Sequence, residues 1–175
     1  NYSSIGPLLL NKNGTVLFAG PGASGDFIIP DSVISIWFFA FSECTGLTSI
    51  TIPDSVTSIE AYAFSGCTGL TSITIPDSVA GIGDYAFSGC TNLASIFFES
   101  MAAPRIGWVA FNQISSAAII QYPYGATGYA ASYDGVPTEE AAAPEFLYSY
   151  SVNPDNSVTI TNYPTDATGA IEIPA

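Results

Sequence analysis

Histidine is absent from this chain of 175 residues, and the only cations are Lys12 and Arg105. Catalytic arrangements that need an imidazole base, such as the serine and cysteine triads, are therefore excluded, and we predict no enzymatic activity. The 15 acidic residues give a formal net charge of −13, which repels the phosphate backbone and argues against nucleic acid as a partner. No apolar run reaches the roughly 18 residues typical of a membrane-spanning helix, so no such span is predicted.

Charged residues are also scarce, at 10% of the chain, whereas hydrophobic residues make up 48%. This content can fill a core, so we expect a folded protein whose polar surface is mainly uncharged. The chain opens on Asn1 and shows no signal peptide, which favours processed material or an excised segment. Asn1-Tyr-Ser and Asn13-Gly-Thr match the acceptor pattern for N-glycosylation. We therefore predict an extracellular or cell-surface location, with Asn1 and Asn13 as candidate glycosylation sites.

A segment of 23 residues occurs twice in succession. ITIPDSVTSIEAYAFSGCTGLTS at 50–72 is followed by ITIPDSVAGIGDYAFSGCTNLAS at 73–95, with 17 of the 23 positions identical. The period extends to one unit before these two and, with one inserted residue, to one unit after them. Such periods are typical of solenoids, in which each unit buries its apolar face against its neighbours. The period predicts columns of equivalent residues that form a structural ladder: Pro30, Pro53 and Pro76; Phe41, Phe64 and Phe87; Cys44, Cys67 and Cys90.

Each unit contains signals for a short strand and a turn. The alternation in Ile50-Thr51-Ile52 predicts a strand, which the following proline ends by withdrawing a backbone donor. Pro-Asp-Ser predicts a turn, and residues 56–64 predict either a brief helix or an extended arm. Equivalent strands would stack about 4.8 Å apart. The predicted fold class is a β-rich solenoid with short parallel strands.

The pattern L-x-x-I-x-I-P-x-x-V-x-x-I-x-x-x-A-F-x-x-C-x-x-L in these units resembles that of the BspA-like leucine-rich repeat family. The resemblance covers nearly the whole chain and implies a right-handed leucine-rich-repeat-like coil flanked by β-hairpin and capping segments. It also implies a bacterial-type surface protein that acts in adhesion, binding host or matrix proteins. The expected divisions are an N-terminal hairpin or cap at 1–26, a solenoid with a capping unit at 27–136, a linker at 137–145, and a second hairpin segment at 146–175 that ends in an unfinished repeat strand.

Two columns of polar residues are candidates for chemistry. Stacking should bring the cysteines of neighbouring units to about 5 Å, within disulfide range. Their parallel side chains favour buried free thiols, however, and a metal site lacks both C-x-x-C spacing and histidine. The aspartates of the Pro-Asp-Ser turns could hold calcium with help from carbonyls and water, but turn formation explains them without a metal. No cofactor and no metal are predicted; the aspartates are Asp31, Asp54 and Asp77.

Aromatic residues and outward strand residues are candidates for surface contacts. We expect most of the aromatic residues of the arms to be core or half-buried. The tyrosines near the C-terminal end of the solenoid should pack a cap closed by strand 120–122, although exposed rings there could also bind a partner protein or a sugar. A row of threonines on the strand face would also suit an ice-binding solenoid, although exposed strands favour threonine anyway. The arm set is Trp37, Phe38, Phe39, Tyr62 and Tyr85; the cap set is Tyr122, Tyr124, Tyr129 and Tyr133; the outward strand set is Ile28, Thr51, Thr74, Phe97 and Gln121.

The predicted function is therefore non-enzymatic protein contact or adhesion through a solenoid surface. The alternative is a structural subunit of an extracellular fibre or sheath that assembles head to tail into a homopolymer. This alternative rests on the repeat strand begun at 171–174, because an uncovered strand edge can pair with a second molecule. The partner is a protein in both cases, either an extracellular host protein or another copy of the chain. The candidate assembly contacts are Leu8, Leu10, Ile171, Ile173 and Pro174.

Overall fold

The computed structural model of the chain describes residues 2–5, 8–19, 22–142, 150–152 and 158–160. The chain divides into two compact units, residues 1–142 and residues 143–175. All regular secondary structure in the described residues is β-strand. The predicted β-rich solenoid with short parallel strands is confirmed.

The first unit contains fourteen strands among its described residues. They are β1 Tyr2–Ile5, β2 Leu8–Asn11, β3 Val16–Ala19, β4 Gly25–Ile28, β5 Ser35–Ile36, β6 Leu47–Thr51, β7 Ser58–Ile59, β8 Ser72–Ile75, β9 Gly81–Ile82, β10 Ser95–Phe98, β11 Arg105–Ile106, β12 Ile119–Tyr122, β13 Ser132–Tyr133 and β14 Val136–Glu140.

One side of the solenoid is a seven-stranded sheet in the order β1-β2-β3-β5-β7-β9-β11. The first three strands are antiparallel, and the last four continue from β3 as parallel two-residue strands in the arms. The residues at 56–64 thus form an extended arm with turns. At the β2–β3 turn, the Asn11 side-chain oxygen accepts the Thr15 N–H at 2.7 Å, and Gly14 takes a φ of 72°. The Gly14 carbonyl accepts the Ser32 hydroxyl at 2.9 Å and the Thr15 carbonyl accepts the Ile34 N–H at 2.6 Å, which connects this turn to the first coil.

The other side of the solenoid carries the longer repeat strands. A five-stranded sheet has the order β13-β14-β12-β10-β8, and a separate parallel pair joins β4 to β6. In the parallel ladder, Ser72 of β8 faces Ser95 of β10, one 23-residue period later. Ser95 then faces Ile119 of β12, where the inserted residue makes the step 24. Between β6 and β8, both fully described, no ladder forms, so the strand side is divided there.

Serine hydroxyls in the Pro-Asp-Ser turns connect each coil to the preceding one. The hydroxyl of Ser55 donates to the carbonyl of Val33 at 2.7 Å, and that of Ser78 donates to the carbonyl of Val56 at 2.7 Å. The repeated serine therefore bonds neighbouring coils as well as forming the turn. Backbone bonds in the arms do the same, as in the Phe64 N–H that donates to the Ala86 carbonyl at 2.8 Å.

The core lies between the two sides and consists of stacked columns. Phe41, Phe64, Phe87 and Phe111 form a parallel stack with ring centroids 5.2 to 5.5 Å apart. All four rings are almost completely buried. Among the described residues no polar or charged side chain is buried, so the core is held by apolar packing.

The C-terminal end of the solenoid extends further than the sequence indicated. β12 does not end the strand side, because β14 pairs with it in parallel. The first residues of the predicted linker at 137–145 therefore form a strand, anchored by Val136, which is 7% exposed. A side chain completes the arm ladder at this end: Asp134 accepts the Phe111 N–H at 2.9 Å, where the equivalent Phe87 N–H bonds the Ala110 carbonyl. This carboxylate takes the place that the backbone carbonyl of the next arm has in the preceding coil.

The described residues of the second unit form one antiparallel pair, β15 Tyr150–Val152 with β16 Val158–Ile160. Its register places Ser151 opposite Thr159.

Candidate binding surface

Aromatic side chains form a continuous surface strip across four successive arms. We name this strip the aromatic band, and its core is a second stack outside the buried phenylalanine column. Phe39 stacks on Tyr62 and Tyr62 on Tyr85, each with ring centroids 4.8 Å apart and planes within 9°. Trp108 ends the stack edge-on to Tyr85 at 5.3 Å. The members of the aromatic band are Trp37, Phe38, Phe39, Tyr62, Tyr85 and Trp108.

A left-handed backbone conformation accompanies the stacked residues of the band. Phe39, Tyr62 and Tyr85 have φ values of 59°, 59° and 56°. This region is costly for bulky side chains, by roughly 1–2 kcal/mol per residue. Four residues after Tyr62 and Tyr85, the chain adopts a positive φ again and uses Gly66 and Gly89 there. The arms thus carry aromatic rings at a position where glycine would be less strained.

The band is more exposed than the sequence indicated. Trp37, Phe38 and Phe39 are 41%, 43% and 57% exposed, so the prediction of core or half-buried packing was wrong for these three. Tyr62 and Tyr85 are half-buried, as predicted. The difference arises because the left-handed φ of 59° at Phe39 turns its ring outward, whereas Phe41, two residues later, is buried in the core column.

The sequence interpretation did not single out Trp108, which is 69% exposed. In the fourth unit Val109 stands where the third unit has Tyr85, at the left-handed position, with a φ of 48°. The bulky ring therefore belongs to the residue before it. The sequence did contain a signal for Trp108. When Ile-Gly-Trp-Val-Ala-Phe is aligned with Ile-Gly-Asp-Tyr-Ala-Phe, Trp108 lies next to the position of Tyr85.

A shallow groove of about 340 Å³ runs beside the band, over β7, β9 and β11. Its lining includes two carboxylates, Glu60 and Asp84, and one cation, Arg105. Part of the floor is bare backbone, because a Cβ at Gly83 or Gly107 would collide with the backbone of the preceding arm. Glu60, Asp84 and Gly107 of the groove lie one or two residues along the chain from the band residues Tyr62, Tyr85 and Trp108.

Local hydrogen bonds fix the two carboxylates of the groove. Asp84 accepts the Trp108 N–H at 2.7 Å, and Glu60 accepts the Ser58 hydroxyl at 3.1 Å. Desolvation, the neighbouring Tyr62 and the charge of Asp84 raise the pKa of Tyr85 above its ordinary value. A tyrosine hydroxyl ordinarily keeps its proton at physiological pH, so Tyr85 can donate a hydrogen bond.

The strand side presents a second candidate surface. The outward residues Thr51 and Thr74 are exposed, Gln121 is exposed and Phe97 is half-buried. Ile28 is 73% exposed. A cleft of about 330 Å³ lies where β6 and β8 separate; its lining includes Ser49, Thr51, Asp54, Thr74 and Glu99.

The thiols of the cysteine column form no disulfide. Cys44, Cys67 and Cys90 are all buried and unbridged, and the thiol of Cys67 donates to the Phe41 carbonyl at 3.0 Å. The hydrogen bond with Cys90, followed by burial, raises the pKa of the Cys67 thiol; burial is the main cause for Cys44. No group of three acidic, cysteine or histidine side chains in the described part of the chain could hold a metal ion.

The tyrosines at the C-terminal end mostly pack the cap. Tyr122 stacks on Tyr129 at 4.3 Å, and the Tyr129 hydroxyl donates to the Ser100 carbonyl at 2.9 Å. Tyr133 also packs against the core, so cap packing is confirmed for these three. Burial is the main cause that raises the pKa of Tyr129, to about 12. Tyr124 is 56% exposed and is the exception.

The predicted assembly and glycosylation residues are only partly described. Leu10 is completely buried in the core, whereas the adjacent Leu9 is 38% exposed. Asn13 is exposed in the turn between β2 and β3. Ile171, Ile173, Pro174 and Asn1, together with the side chain of Leu8, lie outside the described residues.

The repeat sequence and the stacked fold agree with a known family of repeats. A family model described as a BspA type leucine rich repeat region matches residues 14–128 in six copies. The chain belongs to the BspA-type leucine-rich repeat family. The resemblance in the repeat sequence is thereby confirmed, and family membership indicates a repeat protein for protein–protein interaction.

Solved structures with the same architecture include bacterial proteins. A leucine-rich repeat protein from Eubacterium ventriosum has a TM-score of 0.59 and 28% identity, covering 70% of this chain and 33% of that one. The pneumococcal vaccine antigen PcpA has a TM-score of 0.56 and 17% identity, covering 81% of this chain and 42% of that one. The BspA-type chain therefore spans less than half the length of either protein. No curated protein matches the sequence.

The described part of this BspA-type chain contains no helix with the length and apolar character needed to span a membrane.

Proposed function

We propose that this chain is an extracellular or cell-surface repeat protein that binds other proteins without catalysis and serves adhesion. The observation that carries the proposal is the aromatic band, which is exposed on the first and fourth arms and half-buried on the two between them, although the same arms bury a parallel phenylalanine column. Contiguous exposed aromatic surface is typical of protein interaction sites, where aromatic residues are enriched. Family membership supports the same function.

The test measures retention of beads that carry the full chain on surfaces coated with extracellular protein extract. We expect retention well above that of beads coated with albumin, and we expect protease treatment of the surface to abolish it. Glycosidase treatment should leave it unchanged. Retention no greater than that of albumin beads, or retention that survives protease, would overturn the proposal.

An open strand edge favours a second candidate, a fibre or sheath subunit that assembles head to tail. β4 pairs with β6 along one edge, and no strand in the described residues pairs with its other edge. Ile171-Glu172-Ile173-Pro174 has the same pattern as the repeat strands, so we propose that this segment of one molecule adds to β4 of the next. Solenoid stacking would then continue between molecules.

Electron microscopy and sedimentation velocity test this candidate with the full chain and with Ile171→Asp/Ile173→Asp. We expect filaments or large oligomers for the parent chain and dispersed monomers for the double variant, because two carboxylates would be buried at the joint. Ile34→Asp is the matched control, since Ile34 is 47% exposed and lies in an arm. Dispersed parent molecules at high concentration would contradict the candidate, as would filaments that persist in the double variant.

A further inference from the structure

The aromatic band and the groove beside it combine exposed aromatic rings with carboxylates, and this combination favours a positively charged partner. Building on the proposed function, we propose that they bind an extended cationic segment of a partner protein, one that carries two or more arginine or lysine side chains. Arginine and lysine are the side chains that both aromatic rings and carboxylates attract.

Charge favours a cationic segment over other occupants. Glu60 and Asp84 lie in the groove, and Glu43 is exposed on the first arm. The whole chain adds a net charge of −13, which steers cations toward the surface and repels anionic segments, lipids and glycans. Arg105 is the one cation that lines the groove, and it directs the partner's cations toward Glu60 and Asp84.

The stacking geometry determines where the partner's cations can bind. Both faces of Tyr62 are covered, one by Phe39 and the other by Tyr85. Within the stack, cations can therefore approach aromatic faces only at the two ends, at Phe39 and at Trp108. These are also the two most exposed rings of the band, at 57% and 69%. Between the ends, the surface offers tyrosine hydroxyls and the two fixed carboxylates.

The length of the stack limits the segment that it can bind. The three centroid spacings place Phe39 and Trp108 at most about 15 Å apart. An extended chain rises about 3.3 Å per residue, so roughly five residues span the stack. Alternate residues of such a segment point to the same side, which allows two or three cations to face the groove.

The probe is a nine-residue peptide with arginine at alternate positions separated by serine, and its control is the same peptide with citrulline in place of arginine. Titration calorimetry of the full chain in about 150 mM salt keeps long-range attraction screened. We expect the arginine peptide to bind and the citrulline peptide to bind at least tenfold more weakly. Equal binding of the two peptides would overturn the proposal, as would no binding of either.

Aromatic variants locate the site. Trp108→Ala and Phe39→Ala should each weaken binding of the arginine peptide about two- to fivefold, which corresponds to one exposed cation–π contact. Tyr124→Ala removes a similarly exposed ring outside the band and should leave binding within twofold. Unchanged binding in both Trp108→Ala and Phe39→Ala would contradict the assignment to the band.

A pair of charge variants separates local recognition from general attraction. Glu60→Gln/Asp84→Asn and Asp54→Asn/Asp77→Asn each remove two charges, but only the first pair lies in the groove; Asp54 and Asp77 are exposed in the Pro-Asp-Ser turns. The groove pair should weaken binding about fivefold and the turn pair less than twofold. Equal effects would show non-specific attraction and overturn the proposal.

The bead experiment separates failure of this inference from failure of the proposed function. Retention of beads on protein that is unchanged by Glu60→Gln/Asp84→Asn and by Trp108→Ala would leave the proposed function intact and contradict this inference. Absence of retention with the parent chain contradicts the proposed function itself, whatever the peptide binds.

Discussion

Replacement of Phe64 by alanine tests the packing of the central core column. Phe64 is completely buried, and its ring lies 5.2 Å from Phe41 on one side and 5.2 Å from Phe87 on the other. Both neighbours are buried as well, so no surface side chain can move in to fill the space. The substitution leaves a cavity in the middle of the solenoid, between two coils that each depend on their neighbours.

The expected loss of unfolding free energy in Phe64→Ala follows from the burial of the ring and its two stacking contacts. Phenylalanine-to-alanine changes in a core cost about 3–5 kcal/mol, and two aromatic stacks at about 0.5–1.5 kcal/mol each place Phe64→Ala toward the upper end. Tyr62→Ala is the matched control, because Tyr62 lies on the same arm and also stacks on two rings, at 4.8 Å each, but is half-buried. We expect it to cost about 1–2 kcal/mol, since it loses stacking and little burial.

Urea unfolding followed by circular dichroism gives both free energies of unfolding. The expected difference between the variants is at least about 2 kcal/mol, with Phe64→Ala the less stable. A fall in the m-value of Phe64→Ala would indicate that the coils on either side unfold separately. Losses within about 1 kcal/mol of each other would refute the reasoning, because burial would then not distinguish the inner column from the outer one.

Three further predictions concern the connections between coils. Asp134→Ala leaves the Phe111 N–H without its acceptor and should lower the free energy of unfolding by about 2 kcal/mol, whereas Asp134→Asn should lose less than half of that; equal losses would contradict the capping role. Ser55→Ala removes the hydrogen bond to the carbonyl of the preceding coil and should cost about 1 kcal/mol in the same assay; an unchanged value would contradict it. The pKa of Cys67 is raised above its ordinary value of 9.0 by the hydrogen bond with Cys90 and by burial, so the native Cys67 thiol should not react with a disulfide reagent at pH 8. Rapid labelling of Cys67 in the native protein would contradict this expectation. Because the thiol of the unfolded chain ionises at lower pH than the native one, the free energy of unfolding should fall as pH rises above 9.0.

The repeat fold could be predicted from the sequence because the repeat period is visible in the spacing of identical residues. Cys67 and Phe64 recur at 23 residues on both sides, and stacking turns such spacing into inward columns. The buried, unbridged thiols and the alternation of the repeat strands follow from the same geometry. The family also followed from the sequence, since its pattern combines those columns with the strand and proline signals.

The band and the C-terminal strand were harder to predict because neither depends on the period alone. The outward direction of Phe39 depends on a left-handed φ of 59°, and bulky aromatic residues carry no sequence signal for that conformation. β14 lies in a stretch rich in proline and glutamate that resembles a linker. It becomes a strand because β12 offers a backbone edge and Val136 reaches the core, which are contacts between distant residues.

The central claim is that the coils stack in register, so that each residue lies beside the equivalent residue of the next repeat. A pair of engineered cysteines tests this claim most directly. Ser35 faces Ser58 in the arm sheet, and Ser58 faces Gly81 one coil further on. Neighbouring strands lie about 4.8 Å apart, within the roughly 4.4–6.8 Å between Cα atoms that a disulfide allows, whereas two coils lie about 10 Å apart. Under mild oxidation, mass spectrometry should find a disulfide in Ser35→Cys/Ser58→Cys and none between the new cysteines of Ser35→Cys/Gly81→Cys. A bridge in the second variant, or none in the first, would contradict the account.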